Sequence, residues 1–200
     1  VGYWSPEKLT EDVDISWKLQ LAGWDVRFEP RALCWILMPE TLPGLWKQRL
    51  RWSMGGSQVL LDYAPQLLSP KNAGLWPLCI EYAMSIAWAL LFALLATYRV
   101  IDMVFFRVDL QSAPILLLGW AGLLIATTCL LQIMLSLVLD RPYDRGLLKN
   151  YFWMIWYPVI YWVITAATSV VALPKIFFRD SEKRARWTSP DRGIKPDASR

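Results

Sequence analysis

Gln48-Arg49-Leu50-Arg51-Trp52 stands 36 residues beyond the triplet Thr10-Glu11-Asp12, and long apolar blocks follow it. Gln48 and Arg51 are three residues apart and Gln48 and Trp52 four, so on a helix the three side chains share a face. That face offers an amide, a cation and a large flat aromatic. A sugar ring next to a diphosphate asks for those three groups. The triplet upstream supplies a pair of carboxylates at a helix start.

Composition narrows the chemistry. Hydrophobic residues make up 56% of the 200, mean hydropathy is +0.30, and the apolar residues are segregated into long blocks. That is too apolar for an ordinary soluble domain and reads as a membrane protein. Histidine is absent. Imidazole is therefore excluded as base or metal ligand, and so is any Ser-His or Cys-His pair within this chain. Acid–base work falls to carboxylates. Cys34, Cys79 and Cys129 lie far apart with no C-x-x-C spacing, which predicts three buried apolar cysteines rather than a zinc knuckle or a disulfide framework.

The net charge of +4 resides in residues 174–200, which hold eight Lys or Arg against four acids. A basic tail after an apolar block reads as a juxtamembrane segment facing anionic lipid, with no nucleic-acid partner, because no recognition motif accompanies it. The chain opens on Val1, not Met, and no secretory leader precedes the first motif, so a piece of a longer protein is expected.

Residues 1–52 read as part of a soluble α/β domain. Val13, Trp17 and Leu21 recur at helical spacing, with Gly23 as a stop. Asp25–Glu29 alternates like a strand, and 32–37 reads as a short buried strand between Pro30 and Pro39. Thr41 can cap a helix with Pro43 in its first turn, and that helix carries the Gln-Arg-Trp face. Residues 53–76 are expected to form an interfacial amphipathic segment broken at Gly55-Gly56, Pro65 and Pro70. A transmembrane region over 77–173 follows, as apolar blocks 77–98, 114–139 and 151–173, the third interrupted at Pro158 and rich in aromatics. Within these blocks Glu81, Thr127, Thr128, Gln132 and Ser136 are polar. They suit either a path for a sugar polymer or plain helix–helix hydrogen bonding.

Each motif has an ordinary reading as well. Thr10 can simply cap a helix whose first turn is acidic. The Gln48–Trp52 stretch can be an interfacial helix, with Trp46 and Trp52 as anchors and Lys47, Arg49 and Arg51 facing lipid phosphate.

The two signatures, in this order and before membrane spans, resemble the T-E-D and Q-x-x-R-W signatures of processive family-2 glycosyltransferases. Further stretches resemble the bacterial poly-β-1,6-N-acetyl-D-glucosamine synthases among them: 1–4, Thr10 through Trp17, Glu29 through Thr41, Gly44 through Trp52, and the tail runs 184–187 and 189–194. The resemblance implies a GT-A-like α/β glycosyltransferase remnant, the carboxy-terminal part of a cytoplasmic catalytic domain, followed by an α-helical membrane region of about three apolar segments. It implies inverting transfer from UDP-N-acetylglucosamine to a growing polysaccharide at the bacterial inner membrane. Hyaluronan, chitin and cellulose synthases, and a non-catalytic membrane subunit, are the alternatives.

By the same resemblance Asp12 is the general base, positioned by Glu11 and Thr10. Arg51 and Gln48 hold the diphosphate, and Trp52 forms a stacking floor for the terminal sugar. Mg²⁺ is implied for the full-length enzyme, with ligands outside this chain, on the reading that the chain holds no D-x-D metal motif. A small membrane accessory subunit and, in many members, control by cyclic di-GMP are implied as well. By the resemblance a third full crossing is expected, since the family is drawn with three spans, and this sets the basic tail outside the cytoplasm. The positive-inside tendency sets it inside, as a re-entrant third block broken at Pro158 would.

Overall fold

The structure is a computed structural model and describes residues 1–105, 120–178 and 184–185. The expected tail runs 186–187 and 189–194, and the start of the second apolar block at 114–119, lie outside the described residues.

Helix α1 spans Glu11–Leu21. Its first turn carries Glu11, Asp12 and Asp14, negative charges that favour the positive end of the helix dipole. It ends at Ala22, and Gly23 follows at φ +84°, a left-handed turn that glycine adopts without strain. Thr10 stands at the N-cap position but makes no capping bond with its side chain, so the ordinary capping reading of that residue does not hold.

Helix α2 spans Leu42–Leu67 and starts as expected: Thr41 Oγ1 accepts from the Gly44 amide at 3.1 Å, and Pro43 lies in the first turn. The expected breaks at Gly55-Gly56 and Pro65 do not occur, and the helix runs through all three. Pro65 stands close to the C-terminal end, where its missing N–H removes a single helical bond. Beyond α2 the chain closes the last carbonyls with side chains. Asn72 Nδ2 donates to Gln66 O at 2.8 Å, and Trp76 Nε1 donates to Leu67 O at 2.7 Å. A short 3₁₀ stretch, Pro70–Leu75, makes the turn.

The two strands expected at 25–29 and 32–37 are not formed, and among the described residues there is no β-strand. A strand makes its hydrogen bonds to a neighbour and not to itself, and no described segment lies alongside. Phe28 is 91% exposed and Trp35 77%, and Cys34 is exposed rather than buried.

Three further helices follow: α3 (Trp76–Phe105), α4 (Trp120–Asp140) and α5 (Tyr157–Phe177). Each contains a window long and apolar enough to cross a membrane, within Pro70–Phe105, Leu123–Asp140 and Ile160–Phe177, with mean hydropathies of 2.0, 2.0 and 1.6. Two boundaries move from the expected ones. Helix α3 continues past residue 98 to Phe105, and the aromatic start of the third block is a 3₁₀ turn, Trp153–Ile155, preceded by another at Leu147–Asn150. Pro158 therefore falls in the first turn of α5, where proline is tolerated, and does not interrupt a helix.

The chain forms two compact units, Val1–Phe92 with Ile164–Arg200, and Ala93–Val163. In the first, α1 lies on α2 around buried Trp17, Val59 and Leu67, with Val13, Leu21, Leu60, Tyr63, Leu75 and Cys79 packed against them. Tyr82 of α3 comes so close to Gly56 that a Cβ there would collide with its hydroxyl. Ser53 of α2 and Thr168 of α5 face each other at 3.4 Å, Thr168 being fully buried. The buried positions of the apolar helices in this unit, Ala89, Ala166, Thr168 and Ala172, are small, as close helix packing requires.

In the second unit Tyr151 Oη donates to Leu130 O at 3.2 Å. A cavity of about 250 Å³ is lined by Leu124, Ile125, Thr128, Cys129, Gln132 and Trp162. Thr128 and Ser136 satisfy their hydroxyls on the carbonyls one turn back, Leu124 O at 2.8 Å and Gln132 O at 3.0 Å, so neither needs a substrate. Glu81, in the first unit, is exposed.

Candidate active site

The site forms where the start of α1 meets the first half of α2. Arg51 Nη1 donates to the backbone carbonyl of Leu9 at 2.8 Å, the residue that precedes Thr10-Glu11-Asp12. The guanidinium of one signature thus grips the backbone at the head of the other. A cavity of about 250 Å³ opens there, lined by Trp4, Ser5, Pro6, Lys8, Leu9, Glu11, Arg51 and Ala185. Its carboxylate is Glu11 of the first signature, and its cations are Arg51 of the second and Lys8, which bridges to Asp62.

Thr10 is seated by a glycine. A Cβ on Gly55 would stand 2.5 Å from both Oγ1 and Cγ2 of Thr10, a spacing that real contacts do not show. Only glycine lets the T-E-D turn approach α2 this closely. Gly55→Ala is therefore expected to push Thr10 off its seat and cost about 1–3 kcal/mol of stability. A melting curve checks it, and a wild-type melting temperature would show that the seat tolerates movement.

Thr10 is 6% exposed and Gln48 9%. Thr10 Oγ1 and Gln48 Oε1 have no hydrogen-bond partner among the described residues. A buried acceptor left unmade costs about 1–3 kcal/mol, which is the situation expected where a ligand's hydroxyls complete the network. Asp12 differs from its neighbours. It is exposed, its Oδ1 accepts from the Val13 amide at 2.9 Å, and it does not line the cavity.

The shared face expected of Gln48, Arg51 and Trp52 divides in the structure. Gln48 is buried, Arg51 turns to Leu9, and Trp52 is 37% exposed with Arg49 Cζ 4.7 Å above its ring, a cation–π contact. Arg49 thus covers one face of Trp52, a role that its sequence position alone does not reveal.

The expectation that the chain holds no D-x-D is corrected by Asp12-Val13-Asp14, which spells one, yet these residues do not fit a metal centre. Residues two apart on a helix point to nearly opposite sides. Asp14 is fully buried, and both its oxygens are occupied by donors from Tyr63, Ser5 and Lys18. Among the described residues no group of three or more His, Cys, Asp or Glu could hold a metal ion.

Around Asp14 the charges pair off. Lys8 bridges to Asp62, and Lys18 to Asp14 at 3.3 Å. Tyr63, donating to Asp14, is held well above the ordinary phenol range, first by burial, then by that hydrogen bond and by the negative charges of Asp14, Asp62 and Glu7. A raised folded-state value means that the contribution is complete below about pH 10, the unfolded phenol value, and is lost as pH rises through the folded one. Alkaline unfolding should therefore begin above pH 10, and Tyr63→Phe should remove that step from a stability-against-pH curve.

The chain is similar in sequence to known proteins. The profile of the glycosyl transferase family group 2 matches residues 1–173. A poly-beta-1,6-N-acetyl-D-glucosamine synthase of Staphylococcus epidermidis is 37% identical over 194 residues, covering 96% of this chain and 47% of that protein. The synthase of the same name from Staphylococcus aureus strain COL is 37% identical over 193 residues, again 96% and 47%. The chain thus spans about half the length of these curated relatives. No solved structure matches it significantly.

Proposed function

The chain belongs to the glycosyl transferase family group 2, and from that premise we propose that it is the acceptor-side half of a membrane synthase that transfers N-acetylglucosamine from UDP-N-acetylglucosamine, with inversion, to a growing β-1,6-linked polysaccharide. The observation that carries this is the Arg51–Leu9 hydrogen bond, which brings the two signatures to one cavity. The sugar and its linkage are those in the names of the relatives.

In this reading a carboxylate of the T-E-D turn accepts the proton of the acceptor hydroxyl as the glycosidic bond forms. Asp12 is the base by motif, with Glu11 and Thr10 positioning it. A second assignment, Glu11 as base, is favoured by Glu11 lining the cavity while Asp12 does not. Arg51 and Gln48 face the diphosphate, Arg51 stabilising the negative charge that develops on the leaving group. Trp52 offers its ring to the terminal sugar, with Arg49 fixing its orientation. The GT-A sheet, the metal ligands for Mg²⁺ and any small accessory subunit belong, in this reading, to parts of the assembly outside this chain.

Donor choice tests the proposal. Full-length protein in membranes, offered labelled UDP-N-acetylglucosamine, UDP-glucose or UDP-glucuronate separately, should incorporate the first alone. Polymer from either of the others would overturn the sugar assignment.

The proposal extends to membrane sidedness. The Ala185 amide donates to the Pro6 carbonyl at 2.8 Å, and Ala185 lines the cavity with Glu11. This contact supports a tail on the catalytic side, with the third apolar segment entering the membrane without separating the two. It argues against the outside tail that three full crossings imply, and agrees with the positive-inside tendency. A green fluorescent fusion after Arg200 should be bright and a phosphatase fusion inactive, and the reverse would restore the full crossing.

A further inference from the structure

Asp14 is fully buried and lies outside the cavity lined by Glu11 and Arg51. Its Oδ1 accepts from Tyr63 Oη at 2.8 Å, across the helix pair. Its Oδ2 accepts from Ser5 Oγ at 2.8 Å and lies 3.3 Å from Lys18 Nζ. Lys18 Nζ in turn donates to Ser5 Oγ at 2.6 Å and to the Tyr3 carbonyl at 3.3 Å. One carboxylate therefore joins three pieces of chain: the segment leading into α1, α1 itself, and α2.

The geometry matters because of where those pieces lead. Asp14 is four residues after Thr10 and three after Glu11, so it shares a helix face with the residues of the turn. Tyr63 is eight residues after Gly55 on α2, on the face that seats Thr10. Trp17 packs beside Tyr63 with ring centroids 6.3 Å apart, so the pair is also sterically fixed. Apolar packing holds two helices together but leaves them free to slide by fractions of an ångström. A buried charge-assisted hydrogen bond fixes one height along the axis.

We propose that Asp14 is a positioning residue for glycosyl transfer: through Tyr63 it sets the height of α1 on α2, and so the place of Glu11 and Asp12 relative to Arg51. The proposal rests on the reading of Glu11 or Asp12 as base and Arg51 as diphosphate ligand. A misplacement of about 1 Å at a reacting group costs on the order of 10²-fold in rate, so loss of this single bond is visible in turnover.

The test uses the full-length protein in detergent with UDP-N-acetylglucosamine, reading kcat, KM and melting temperature for each variant. Tyr63→Phe removes one oxygen and keeps the ring on Trp17. It is expected to lower kcat by about tenfold, short of that full misplacement, with KM for the donor unchanged. Asp14→Ala should lower kcat at least as far. Because both act through one bond, the double variant should be no worse than Asp14→Ala alone. Asp14→Asn, whose amide oxygen still accepts from Tyr63 and whose amide nitrogen can donate to Ser5, should restore most of kcat.

Unchanged kcat per folded molecule in Tyr63→Phe, with a lower melting temperature, would make Asp14 a scaffold residue and overturn the proposal. Additive losses in the double variant would overturn it too. Should Asp14→Ala fail to fold, Tyr63→Phe decides alone. Wild-type kcat in both Asp12→Asn and Glu11→Gln would defeat the reading of the base on its own, and is told apart by Tyr63→Phe.

Discussion

Asp12→Asn in the full-length protein is expected to lower polymer synthesis by about 10² to 10⁴-fold, the usual worth of a general base, with membrane insertion and melting temperature at wild-type values. The substitution keeps the side chain's size and its Oδ1 acceptor, which takes the Val13 amide at 2.9 Å, so the first turn of α1 stays formed. What disappears is the charge that takes up a proton. Asp12 is exposed and shares in none of the buried ion pairs, so no buried partner is stranded by the change. Glu11→Gln is the companion measurement. If Glu11 only positions the base, its loss is the smaller, and a larger loss there with near-normal synthesis by Asp12→Asn would move the base to Glu11. Incorporation of labelled N-acetylglucosamine at matched expression reads both.

Arg51→Ala carries the second large effect, a fall in synthesis of about 10² to 10³-fold by comparison with the loss of one preorganised donor at a developing charge. Two contributions vanish together. The cavity loses its guanidinium, and the Leu9 carbonyl loses the donor that holds the head of the T-E-D turn at 2.8 Å. Arg51→Lys separates them: the charge remains but the planar fork does not, so synthesis should fall between wild type and Ala. A Lys variant as weak as Ala would assign the effect to the grip on Leu9. A variant at wild-type rate would leave only charge to matter. Synthesis unaffected by Ala would remove Arg51 from the site.

Local periodicity was the part of this fold that the residues announced. Val13, Trp17 and Leu21 marked α1, Thr41 and Pro43 marked the start of α2, and the apolar blocks marked α3 to α5, because these signals need no partner far along the chain. The misreadings all involve partners that a local pattern cannot name. Gly55 and Gly56 look like helix breaks in isolation, but α2 continues through them and uses their missing side chains to admit Thr10 and Tyr82. The alternation at 25–29 suits a strand, but pairing is a property of two segments, and no described segment pairs with it.

The site shows the same division. Gln48, Arg51 and Trp52 were legible as a group, because three- and four-residue spacing on a helix is local. Their separation into a buried amide, a grip on Leu9 and an Arg49-covered ring was not, since 42 residues separate Arg51 from Leu9. Asp14 and Lys18 could have been paired from their i,i+4 spacing. Tyr63, 49 residues from Asp14, gave no signal until the helices were docked.

The linkage of the product tests most directly whether this chain serves the building of a β-1,6-linked N-acetylglucosamine polymer. Polymer made from UDP-N-acetylglucosamine by the full-length protein should be cleaved by periodate throughout its length, because 1,6-linked residues keep adjacent free hydroxyls at C3 and C4. Polymer that resists periodate, as 1,4- or 1,3-linked N-acetylglucosamine chains do, would contradict a β-1,6 product.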